Sequence, residues 1–113
     1  MSTLSEEEKK EAERLGKHVW EEFLFETAIE RLGSESRLDM VIEECAELIE
    51  TIQKYRRKRI TSTSVIEGAV DVELCLEQLK LIINLPASWR MVRDAKLKQL
   101  KDRLNFVEGK EDD

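Results

Sequence analysis

Glu43, Glu44, Glu47 and Glu50 fall within the eight residues of EECAELIE, and Lys54, Arg56, Arg57, Lys58 and Arg59 follow almost at once. Carboxylates at this density have two uses: they form a hydrated helix face, or they hold a cation. On a helix, Glu44 and Glu47 stand about 60° apart, flanking the apolar positions Leu38, Val41, Ile42, Cys45, Leu48, Ile49 and Ile52. Like charges at this spacing destabilise a helix by roughly 0.2–0.5 kcal/mol per pair, too little to separate the two uses. A third acid sharpens the question. Asp71 sits in AVDVELCLEQL, at the edge of a second apolar helix, where it is partly desolvated unless it meets a cation. Two antiparallel helices that set Glu44 and Glu47 against Asp71 would make an all-oxygen pocket, the donor set that suits Mg²⁺ or Mn²⁺. The Glu-x-x-His pairs of di-iron bundles are missing, which points away from iron.

Glu67 lies four residues before Asp71, close enough to share its helix face. It also reads as the third position of a capping box opened by Ser64, in the run Ser64-Val65-Ile66-Glu67. Gly68 is unfavourable inside a helix by on the order of 1 kcal/mol relative to Ala. The basic run has two readings as well. It complements the negative end of its helix, or it meets phosphate oxygens, with Lys54 and Arg57 as the candidates. Trp20, Phe23 and Phe25 read as packing residues, with base stacking as the alternative. His18 reads as a surface residue, and Cys45 and Cys75, on apolar stripes, as buried reduced thiols. The sequence has no phosphate-cradling glycine loop, no Ser/His/Asp set and no HExxH.

The elements that must position these residues are helices. With 39% charged and 41% hydrophobic residues, one Pro and four Gly, the composition fits a helical domain and argues against a sandwich. Ser5-x-x-Glu8 is a capping box that opens a first helix, running with a break towards Leu32; residues 1–16 form an acidic N-terminal helix or extension. Gly33-Ser34 marks a turn, and a second helix is expected over 35–57. Residues 60–63 read as a link, and Ser64 as the cap of a third helix over 65–84. Leu85-Pro86-Ala87 breaks that helix, Ser88 caps a fourth running to Val107, Gly109 ends it, and 109–113 form a frayed tail. The expected fold is therefore an all-α four-helix bundle, a single domain over 1–113.

The third helix is apolar on two faces. Val65, Ala69, Val72, Leu76, Leu79 and Ile83 form one, and Ile66, Val70, Leu74 and Leu81 much of another, which predicts a homodimer or a dimer of dimers. No apolar run is long enough to span a bilayer, and the N-terminus is acidic rather than basic-then-apolar. No membrane association, no signal peptide and a cytoplasmic location are the expectations. Residues 1–50 carry 15 acids against 6 bases, and residues 51–113 carry 10 against 13. An overall charge of −6 argues against a nucleic-acid polymer as partner.

The runs GSESRLDMVIEECAELIETIQKYRRKR and EGAVDVELCLEQLKLII, followed by a Lys/Leu-periodic helix, resemble the MazG-like all-α nucleoside triphosphate pyrophosphohydrolases over about residues 26–104. The family's motif is E-E-x-x-E, then E-x-x-D after a gap. Glu43-Glu44-Cys45-Ala46-Glu47 matches the first half and Asp71 the closing acid, while Gly68 stands where the second half has its glutamate. The resemblance implies hydrolysis of a nucleoside or deoxynucleoside triphosphate to the monophosphate and pyrophosphate, in nucleotide-pool house-cleaning. It implies Mg²⁺ held by Glu44, Glu47 and Asp71, with Glu67 as a stand-in ligand and Glu44 or Glu47 as the base. Lys54, Arg57, Lys96 and Arg103 are the implied substrate contacts, a solvated face being the other reading of the last two. Two other readings stand beside it: a phosphoribosyl-ATP pyrophosphohydrolase, and a non-catalytic helical oligomer that has lost a ligand at Gly68.

Overall fold

Ser5 and Glu8 cap the first helix reciprocally: the Ser5 N–H donates to Glu8 Oε1 at 3.0 Å, and the Glu8 N–H to Ser5 Oγ at 3.1 Å. This is the capping box expected from the sequence. In the computed structural model, which describes residues 3–104, it opens α1 (Glu6–Leu15). Gly16, at φ +102°, interrupts the chain before α2 (Lys17–Leu32). The expected break is thus real, and it makes five helices where four were expected. Gly33, at φ +91°, ends α2 and begins α3 (Ser34–Arg56) in a single residue. Its N–H donates to the Ile29 carbonyl and its carbonyl accepts from the Arg37 N–H. Only glycine adopts such a conformation without strain.

α3 ends in a Schellman motif. The Lys58 N–H donates to the Tyr55 carbonyl and the Arg59 N–H to the Lys54 carbonyl, both at 2.9 Å, with Lys58 itself left-handed at φ +59°. α4 (Ser62–Ile82) follows, with Thr61 as its N-cap residue, and α5 (Pro86–Arg103) starts with Pro86 in its first turn and Leu85 as N-cap. The expected caps at Ser64 and Ser88 are both displaced. Each lies inside the helix it was to open, because the chain turns helical as soon as Thr61 and Leu85 leave the helical region. The expected end of α5 at Val107, Gly109 and the tail lie outside the described residues.

All five helices and no strand occur among the described residues, so the all-α expectation holds. The chain divides into two compact units, Met1–Ile83 and Asn84–Asp113. In the first, α3 packs chiefly on α4, and α2 lies against both. The second contains α5. The α3 stripe splits along its length. Leu38, Val41, Cys45 and Leu48 are half-buried, whereas Ile42, Ile49 and Ile52 are exposed. α4 splits likewise: Val65, Ala69, Val72, Leu79 and Leu81 are half-buried, while Ile66, Val70, Leu74, Leu76 and Ile83 are exposed. Cys75, at 8% exposure, is the one buried residue among those described.

Candidate functional site

The α3–α4 pairing sets the geometry of the acidic site. Leu48 Cδ1 lies 3.6 Å from where a Cβ on Gly68 would stand, which fixes the register of the two antiparallel helices. That distance is ordinary van der Waals contact, so Gly68 is not demanded by crowding. From this level, one turn back along α3 reaches Glu44, and about one turn on along α4 reaches Asp71. Glu44 is half-buried; Glu47 and Asp71 are exposed.

Their proximity shows in the electrostatic surroundings of Glu44. Partial loss of water pushes its carboxyl above the usual value of 4.5, and the charges of Glu47 and Asp71 push it further. Glu47 also shares a hydrogen bond with it, and Glu43 adds a smaller repulsion. Glu47, on the same helix, and Asp71, on α4, are thus near enough to Glu44 to act on it electrostatically. The donors are all carboxylate oxygens, and their mutual repulsion is what a divalent cation relieves. The set fits such an ion in donor type and charge. Among the described residues, no group of three or more His, Cys, Asp or Glu side chains is placed so that it could hold a metal ion.

Glu67 is exposed, one turn before Asp71 on α4. The capping-box reading of this residue fails. Ser64 is the third residue of α4, its N–H donates to the Thr61 carbonyl at 3.2 Å, and no side chain caps the helix at Thr61. Glu67 is thus released from the capping role that competed with ligation. Compared with known protein-family models, curated proteins and solved structures, the chain matches none.

The expected phosphate contacts fare unevenly. Lys54 Nζ lies 2.9 Å from Glu50 Oε1, an exposed ion pair that holds the Glu50 carboxyl below its usual range, first through the hydrogen bond and then through charge. Arg57 is exposed at the C-cap of α3. Lys96 and Arg103 are exposed on α5, in the second unit. Trp20 and Phe23 stack with ring centroids 6.3 Å apart and planes at 10°, and Phe25 is half-buried. His18 faces solvent beside Glu22, 3.9 Å away. Cys45 and Cys75 are both free thiols, as expected, but only Cys75 is buried and Cys45 is half-buried; the Cys75 thiol is pushed up by burial and then by Glu44.

One residue near the site escaped sequence reading. Arg37 is half-buried on α3, and its charge opposes that of Glu44 and Asp71 at the Cys75 thiol. Its position seven residues before Glu44, a whole two turns, was the available signal.

Proposed function

We propose that this chain is a Mg²⁺-dependent nucleoside triphosphate pyrophosphohydrolase of the MazG-like type, releasing the monophosphate and pyrophosphate. The observation that supports this reading is the Glu44 carboxyl, raised by partial loss of water, then by Glu47 on the same helix and by Asp71 on α4. Glu44, Glu47 and Asp71 would hold the ion, with Glu67 as the fourth carboxylate. When bound, Mg²⁺ or Mn²⁺ neutralises phosphate charge and lowers the pKa of a coordinated water.

The chain's own residues then do three things. The carboxylates would hold the ion in place, and through it the triphosphate would be oriented for in-line attack at the α-phosphorus. Glu44 or Glu47 accepts the proton of the attacking water. As the new P–O bond forms, the bond from the α-phosphorus to the bridging oxygen breaks, and its electron pair leaves with pyrophosphate. Lys54 and Arg57, in the same unit as the acidic site, are the cations available to the substrate's phosphates. The working form is a homodimer or dimer of dimers in the cytoplasm. The apolar residues that α3 and α4 leave exposed support that assembly.

Gly68 favours a second reading, a non-catalytic helical oligomer that keeps the fold without the full ligand set. Thermal unfolding with Mg²⁺ and a non-hydrolysable nucleotide separates the two. A working site gives an upward shift that needs both, worth about 2.7 kcal/mol at a hundred times Kd. An unchanged melt at saturating concentrations of both would sink the enzyme reading.

A further inference from the structure

The turn between α3 and α4 holds a pocket of about 460 Å³, lined by Tyr55, Arg56, Lys58, Ile60, Thr61 and Ser62. It lies away from the acidic site: Arg56 is twelve residues past Glu44, roughly 18 Å along α3 at 1.5 Å per residue. Lys54 and Arg57, the cations assigned to the substrate above, do not line it.

Two cations stand in the pocket wall with no carboxylate to answer them. Among the described residues, Arg56 and Lys58 make no ion pair, whereas Lys54 is engaged with Glu50 at 2.9 Å. The hydroxyls of Tyr55, Thr61 and Ser62 are uncommitted too. None of the three makes a side-chain hydrogen bond among the described residues, and Thr61, at the N-cap of α4, does not cap its helix. Lys58 holds its place at φ +59°, a conformation that glycine takes freely and a side chain takes at a cost. A glycine there would bring no ammonium to the pocket. Non-glycine residues held in this region cluster at ligand clamps.

A guanidinium fork, an ammonium and three hydroxyls all donate, so the ligand that answers them carries negative charge and accepts on several oxygens. A phosphoryl group offers three such oxygens, arranged around one atom, where a carboxylate offers two in a plane. A free phosphate ion would leave most of the volume unfilled. Pockets for small organic ligands run from about 300 to 1,000 Å³, and Tyr55 and Ile60 supply an aromatic ring and an apolar side chain for the organic part.

We infer that the α3–α4 turn is a second binding site, for a phosphate monoester, with Arg56 and Lys58 donating to the phosphoryl oxygens beside the Thr61 and Ser62 hydroxyls and with Tyr55 against the organic part. This site is separate from the proposed pyrophosphohydrolase chemistry and needs no metal.

The test is calorimetric titration of the full chain with phenyl phosphate, inorganic phosphate and benzoate. It is run in EDTA, so that metal-held phosphate at the acidic site does not contribute. Wild type is compared with Arg56→Gln, Lys58→Gly and Lys80→Gln, the last removing an exposed cation of α4 that pairs with Glu77 outside the pocket. Lys58→Gly relieves the left-handed residue, so its loss of binding does not come from a failure to fold, and melts check the other variants. Phenyl phosphate should bind wild type at least about tenfold more tightly than inorganic phosphate or benzoate. Arg56→Gln and Lys58→Gly should each weaken it by about tenfold or more, and Lys80→Gln should leave it unchanged. No binding at millimolar phenyl phosphate overturns the site. A loss as large in Lys80→Gln also overturns it, leaving a general attraction of surface cations for anions. Inorganic phosphate that binds as tightly as phenyl phosphate overturns the organic ligand and makes the turn a site for the free ion.

Discussion

Glu44 sits where lost hydration and two neighbouring carboxylates act together, so its protonation tracks the state of the site. Its carboxyl is raised in the folded chain, so the folded state binds that proton more tightly than the unfolded one. The sign follows from linkage: stability falls as pH rises from the ordinary value of 4.5 through the raised one, and stays lowered above it. Glu44→Gln removes the repulsion, so without metal it should melt higher than wild type at neutral pH and level with it at the acid end. Melts of both proteins between pH 4 and pH 8 in EDTA check this. A Glu44→Gln protein that melts lower at neutral pH would mean that the carboxylate is already compensated. Subtracting the two curves isolates Glu44 from Glu50, whose lowered carboxyl acts in the opposite direction, losing its stabilising contribution as pH falls through the lowered value. Adding Mg²⁺ should reverse the order, because wild type then gains a ligand that Glu44→Gln binds poorly.

At the scale of the elements, two positions run against local preference and predict their own improvement. Lys58 occupies the left-handed position of the α3 terminus, where glycine has no Cβ penalty. Lys58→Gly should stabilise the chain by about 1 kcal/mol in chemical denaturation. Gly68 is the converse, a glycine inside α4 with room for a Cβ 3.6 Å from Leu48. Gly68→Ala should add about 0.5–1 kcal/mol; a loss instead would show that the α3–α4 contact is tighter than this spacing. These positions also show what was legible in sequence. The capping box at Ser5 and the helices carrying the two acidic segments could be read because local hydrogen bonding and 3.6-residue periodicity determine them. The caps at Ser64 and Ser88 could not, because in each case an earlier residue left the helical region first and made the serine an interior one. Spacing alone put Glu44 and Glu47 on one side of α3, whereas the influence of Asp71 on Glu44 depends on how α3 packs against α4.

For the whole molecule, the burial pattern is the informative fact. A chain with 41% hydrophobic residues that buries only Cys75 among its described residues leaves large apolar side chains exposed on α3 and α4, the surface that the proposed assembly would cover. Ile49 and Ile66, each 61% exposed, belong to that surface. Sedimentation should find a dimer or tetramer. Ile49→Lys or Ile66→Lys should weaken assembly by at least about tenfold, since burying one such side chain contributes about 1.5–3 kcal/mol. A wild-type monomer across the micromolar range would contradict the assembly. The sequence suggested this through the two-faced α4, but it misjudged α3, whose stripe was read as wholly inward and leaves Ile42, Ile49 and Ile52 outside. The measurement that bears most directly on function is pyrophosphate release from a panel of nucleoside and deoxynucleoside triphosphates, with Mg²⁺ or EDTA. Wild type should release pyrophosphate only with the metal. Glu47→Ala should lose that activity by on the order of a hundredfold or more, and Glu67→Gln should lose part of it. No metal-dependent release from any substrate, with activity arising only in Gly68→Glu, would contradict the proposed enzyme and leave a helical oligomer whose metal site lacks one carboxylate.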